Sequence, residues 1–280
     1  MSYPIVSDQL ADFASWLKQE EHSAGTIDKY LRDVRRFAQW LAGRAVSKAL
    51  VIEWRESLQE KGYAAVTINS MLAALHAYFR FAGIDGCRVK YLRVQHRLFR
   101  SKARELTRQD YRHLLAAARA SGQHVLALIM ETICATGIRV SELSYITVEA
   151  VRAGRAEVTL KGKVRTILLS EKLCQRLMNF IRANKITHGQ IFRTVGDAAL
   201  SRQKIWAKMK RLAKQAGVLP SKVFPHNLRH LFAQRYYQKT HDIARLADLL
   251  GHSSIETTRI YLAASGSDCA RELDQLGLVL

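Results

Sequence analysis

Acidic residues are what this chain is short of: 24 Asp and Glu stand against 44 Lys and Arg in 280 residues, a formal charge of +20. Two long stretches, 86–104 and 198–241, contain no acid at all. So large an imbalance points to a polyanionic partner rather than to a merely solubilising cationic surface. Cysteine is equally sparse. Cys87, Cys134, Cys174 and Cys269 lie far apart with no Cys-x-x-Cys pair, which excludes a zinc-ribbon spacing and a disulfide framework and fits a reducing compartment. Long apolar runs are missing too. The run from Val125 to Met130 is cut by Glu131, and Met1-Ser2-Tyr3-Pro4 lacks the basic region and apolar core of a leader, so a cytoplasmic protein with no membrane partner is expected. What remains is 48% hydrophobic and 24% charged, the balance of a folded chain with room for two domains.

The first 85 residues read as a small all-helical domain. Leu10, Phe13, Ala14 and Leu17 follow helical spacing behind Ser7, and Ile27, Leu31, Val34, Phe37 and Leu41 do so behind Thr26, a candidate N-cap. Val51, Ile52, Trp54 and Leu58 mark a third helix stopping near Gly62, and Leu72, Leu75, Tyr78 and Phe79 a fourth ending near Gly83. Lys29, Arg32 and Arg36 share one face of the second helix, either along a nucleic-acid backbone or simply in water. From 86 to 104 come seven basic residues, Arg97 and Arg100 among them. They read as an interdomain linker able to close on phosphates.

A second domain is expected over 105–280. Thr107 and Asp110 have capping-box spacing, and the apolar helix that follows stops at Gly137, placing Arg139 just beyond a helix end with Ser141 free to cap the next turn. Between Ala156 and Leu169 the pattern becomes extended, a β-hairpin with Gly162-Lys163 as its turn and Lys161 and Lys163 at its tip. Further on, Arg202, Lys204, Lys208 and Arg211 crowd one helix whose buried side is assigned to Ile205, Trp206, Met209 and Leu212. This is the clearest candidate of the chain for a helix lying in or across a DNA groove, and read by itself it fits RNA equally well.

The densest chemistry lies in Pro225-His226-Asn227-Leu228-Arg229-His230, Leu250-Gly251-His252 and Thr257-Thr258-Arg259-Ile260-Tyr261. Pro225 suits a first helical turn, which puts His226 and Arg229 one turn apart near a positive helix end, a place that favours phosphate. Together with Ala135-Thr136-Gly137-Ile138-Arg139-Val140-Ser141-Glu142-Leu143 and Lys161-Gly162, these motifs resemble, in order and spacing, the signature of tyrosine site-specific recombinases of the phage integrase family, most like the compact Xer-type members.

That resemblance implies a mainly α fold with a small β-hairpin, built as a two-domain, C-shaped DNA clamp. A helical core-binding domain (1–85) would be joined by the basic linker (86–104) to a catalytic domain (105–280) whose tail begins near 262. It implies site-specific cleavage and rejoining of double-stranded DNA through a 3′-phosphotyrosine and a four-way junction. Monomers or dimers would assemble into a homotetramer or heterotetramer on two duplexes in the nucleoid. Neither metal nor cofactor is implied. Tyr261 would be the nucleophile, with Arg139 and Arg229 clamping the phosphate and Lys161, or else Lys163, protonating the leaving oxygen. His226 would move the nucleophile's proton, His252 would hydrogen-bond the phosphate, and Glu142 would orient the site. A phenol ionises near about 10, so cations beside it are what this chemistry asks for. A type IB topoisomerase-like relaxing enzyme and a catalytically silent DNA-binding regulator are the alternatives.

Overall fold

The structure, a computed structural model, describes residues 7–94, 104–160, 163–193, 201–252, 254–262 and 274–275. It is mainly helical with one two-stranded sheet, and the chain divides into two compact units, Met1–His96 and Arg97–Leu280. None of its described helices is long and apolar enough to cross a membrane.

The first unit contains α1 (Ser7–Gln19), α2 (Ala24–Leu41), α3 (Lys48–Glu60) and α4 (Ala65–Phe81). Each turns an i, i+3, i+4 stripe inward: Phe13 and Leu17, then Val34, Phe37 and Leu41, then Val51, Trp54 and Leu58 meet the apolar side of α4. The cap of α2 is Ser23 rather than Thr26; the Ser23 hydroxyl accepts the Thr26 N–H at 3.3 Å. The expected linker also begins later than its charge suggests. Cys87 and Val89 are buried in the helical core. The Asn69 amide both accepts the Leu92 N–H and donates to the Leu92 carbonyl, each at 2.8 Å, as a strand partner would. Residues 86–94 therefore belong to the helical unit, whereas Arg97 and Arg100 lie outside the described residues.

The second unit is built on α6 (His124–Thr136), which is buried along most of its length from Leu126 to Thr136. Around it lie α5 (Arg108–Ala120), α8 (Glu171–Ala183), α9 (Arg202–Gln215) and α10 (Pro225–Thr240). The Thr107–Asp110 capping box forms as expected. A 3-10 helix (Val140–Tyr145) and α7 (Val148–Ala153) lead into β1 (Arg155–Leu160) and β2 (Lys163–Leu168). The strands are antiparallel with Leu160 opposite Lys163, so Lys163, expected in the turn, is the first residue of β2, while Gly162 lies outside the described residues. This register puts Ala156, Val158 and Ile167 inward and leaves Val164 and Leu168 exposed. Finally α11 (Ile243–Leu250) and α12 (Ile255–Leu262) pack on α10 around Ala233, Leu246, Leu250 and Tyr261. Tyr236 and Tyr237 pack against the same cluster.

Candidate active site

Three helix ends converge on one side chain. Pro225 opens α10 with a fixed φ and no N–H to satisfy, His226 follows it exposed, and one turn on Arg229 is driven inward until only 1% of its surface is accessible. Its guanidinium donates to the Gly137 carbonyl at 2.5 Å and to the Leu250 carbonyl at 2.6 Å. These carbonyls stand at the C-terminal, partly negative ends of α6 and α11. Both helices stop on a left-handed glycine, and neither glycine can gain a side chain: a Cβ on Gly137 would lie 2.4 Å from Phe232, one on Gly251 2.7 Å from Arg165. Burial, then the neighbouring Arg139, lowers the Arg229 pKa to about 10, so it stays charged at neutral pH. Its Nε has no hydrogen-bond partner among the described residues.

The same guanidinium reaches His252 Nε2 at 2.9 Å. Arginine only donates, so Nε2 accepts and the ring proton sits on Nδ1, from which it is donated to Thr258 Oγ1 at 2.9 Å. Burial first, then Arg229, Arg139, Arg165 and His226, lowers the His252 pKa to about 4 and keeps the ring neutral. Thr258 is fully buried on α12, one turn before Tyr261. This pin places the Tyr261 hydroxyl 3.2 Å from His226 Nε2. The phenol ring is buried among three imidazoles, with centroids 5.4 Å from His226, 4.7 Å from His230 and 5.4 Å from His252.

Arg139 closes the other wall. Glu142, 1% exposed, caps the 3-10 helix by accepting the Arg139 N–H at 2.7 Å and holds the Arg139 guanidinium at 3.0 Å. Ser141, expected to cap this turn, lies inside the 3-10 helix instead, whose N-cap position is Arg139. The Arg139 side chain keeps 43% of its surface open to a groove of about 560 Å³ lined also by Arg202, Trp206, His226 and Arg229. The groove thus presents fixed cations beside a buried phenol and an exposed imidazole, the groups needed to grip a phosphodiester and attack it.

Arg139, Glu142, His226, Arg229, His252 and Tyr261 are thereby brought together. Lys161 lies outside the described residues, and Lys163 opens β2. The α9 cations Arg202, Lys204, Lys208 and Arg211 are all exposed, but Trp206, assigned to the buried side, is 49% exposed on the groove. In the first unit Lys29 is not a free cation: it binds buried Asp33 at 2.6 Å and the Ser70 carbonyl at 3.1 Å. Arg32 and Arg36 are exposed, Arg36 over the Tyr63 ring. Sequence reasoning passed over Thr258 and His230, although each stands one helical turn from a residue it had singled out.

The family model described as "Phage integrase family" matches residues 104–267, and "Phage integrase, N-terminal SAM-like domain" matches 10–84. The chain belongs to the phage integrase family of tyrosine recombinases. It is 33% identical to tyrosine recombinase XerD of Xanthomonas axonopodis pv. citri over 84% of this chain and 86% of that protein. It is 30% identical to tyrosine recombinase XerA of Thermococcus kodakarensis over 93% of this chain and 92% of that one. These relatives make it a recombinase of Xer type, an enzyme of DNA transesterification, and favour recombination over a relaxing-only or binding-only role. The fold is also that of XerH recombinase bound to difH, with TM-score 0.68, 20% identity and coverage of 95% of this chain and 84% of that one. A lambda integrase dimer bound to a core site gives TM-score 0.72 at 19% identity over 91% and 76%.

Proposed function

We propose that Tyr261 is the nucleophile of this recombinase. The observation that carries the reading is the Tyr261 hydroxyl 3.2 Å from His226 Nε2, beside an arginine already stripped of water. In the proposed step the phenol proton passes to His226 as Oη bonds to phosphorus, while Arg139 and Arg229 hold the non-bridging oxygens. The bond from phosphorus to the 5′ oxygen breaks, and that oxygen takes a proton from Lys161. A 3′-phosphotyrosine and a free 5′-hydroxyl result, and a 5′-hydroxyl from a second duplex reverses the step without an added energy source.

Residues 105–280 carry this chemistry. Arg202, Lys204, Lys208 and Arg211 hold phosphates beside it, and residues 1–85 bind the same duplex, with Arg32 and Arg36 as their exposed cations. Four protomers on two duplexes exchange strands through a junction, within the nucleoid. A lambda integrase tetramer solved on a Holliday junction supports that assembly by likeness of fold, at TM-score 0.69. The test has two stages: sequencing DNA trapped on the protein in cells supplies the site, and a nicked duplex carrying it then reports cleavage. Wild type is expected to form a covalent adduct, and Tyr261→Phe to bind the duplex equally and form none. An undiminished adduct with Tyr261→Phe would refute the assignment.

A further inference from the structure

We propose that Arg165 is a positioning residue for this reaction, a strut that fixes Arg139 and the His252 turn at one spacing so that both address the same phosphate. The proposal rests on the recombinase reading above. Arg165 lies on the inward face of the hairpin, directly opposite Val158 and two residues before Ile167, where strand alternation calls for an apolar side chain. An arginine there is costly to bury, and burial lowers its pKa. Both of its partners belong to the site. One nitrogen donates to Glu142 Oε2 at 2.7 Å, on the oxygen that also accepts the Arg139 N–H. Another donates to the Leu249 carbonyl at 2.9 Å, next to the Leu250 carbonyl that Arg229 holds.

Two arginines from different elements thus grip consecutive carbonyls at the end of α11, immediately before Gly251 and His252. Gly251 is part of the fit, because the Arg165 Cδ lies 2.7 Å from where its Cβ would be. A planar guanidinium makes its bonds at a fixed angle, so the fork sets the separation of the 3-10 helix from the His252 turn. Arg165 is not among the groove-lining residues and acts only through those it holds. Its second charge on Glu142 also keeps that carboxylate from being satisfied by Arg139 alone, which leaves Arg139 free to face the groove.

The test uses the nicked duplex carrying the captured site, in two forms: the natural phosphodiester, and one with a non-bridging oxygen of the scissile phosphate replaced by methyl. An uncharged phosphorus centre needs less cationic help, so a fault in presenting Arg139 weighs less there. Arg165→Lys keeps the charge but reaches one acceptor instead of two. It is expected to bind duplex like wild type and form the adduct about 10- to 100-fold more slowly, the scale of a misplaced catalytic group. That deficit should shrink on the methyl-substituted duplex, as should that of Arg139→Ala. Arg165→Met should show the same pattern more strongly. Adduct formation by Arg165→Lys at the wild-type rate, or equal deficits on both duplexes, would overturn the proposal while leaving the recombinase reading intact. Failure of wild type to form any Tyr261-dependent adduct would remove that reading and this proposal together.

Discussion

His252 accepts a hydrogen bond from Arg229 and so has no room for a second ring proton without losing that contact. Its pKa is about 4 in the folded chain against an ordinary 6.5. Between those values the unfolded chain binds a proton that the native chain does not, so this residue makes stability rise with pH through the window and fall as pH drops from 6.5 toward 4. Wild type is therefore expected to lose more stability than His252→Gln when urea unfolding is compared at pH 6.5 and pH 4.5. Equal losses would mean that His252 is not held neutral in the native state. The same contacts explain why the residue belongs in the middle of the site: it passes the orientation of Arg229 through Thr258 to the helix that carries Tyr261.

The ends of elements, more than their middles, make the site. The left-handed stop of α6 at Gly137 exposes the carbonyl that receives Arg229, and Phe232 leaves no space for a methyl group there. Gly137→Ala combines a strained φ with overpacking and is expected to destabilise the second unit by on the order of 2–4 kcal/mol. A thermal unfolding midpoint unchanged from wild type would contradict it. Helices and stops of this kind were legible in the sequence, because apolar spacing and terminal glycines are local signals. The hairpin was legible as a hairpin but not in its register. Moving a two-residue turn by one position changes every cross-strand partner yet leaves the same side chains inward, and strand alternation alone does not show that Arg165 on that face is held by Glu142 and the Leu249 carbonyl from other elements. Trp206 was misplaced for a related reason. Ile205 and Trp206 are successive on α9, about 100° apart, and only tertiary packing decides which of the two is covered. Lys29 shows the opposite limit, since its buried partner Asp33 lies four residues away but the Ser70 carbonyl comes from another helix.

On the scale of the whole molecule the charge is spread unevenly, and not all of it is available. Binding to duplex DNA is expected to weaken by about 10³-fold or more between 50 and 200 mM salt if six to ten phosphates are contacted. Lys208→Ala and Arg211→Ala, both on the exposed face of α9, should each lower the slope of log affinity against log salt by about 1. Lys29→Ala should leave it unchanged, because that ammonium is already bound to Asp33. Fluorescence polarisation at several salt concentrations measures all three slopes, and a Lys29→Ala slope reduced as much as the others would show that Lys29 leaves Asp33 for the duplex.

Of the four tryptophans, Trp16, Trp40 and Trp54 fall in the first unit and Trp206 alone in the second, half exposed at the groove mouth with Lys210 beside its ring. The second unit thus carries its own built-in optical probe. In a chain whose other three tryptophans are changed to phenylalanine, the colour and intensity of indole emission would follow occupation of the groove in real time, without a label and before any bond is broken.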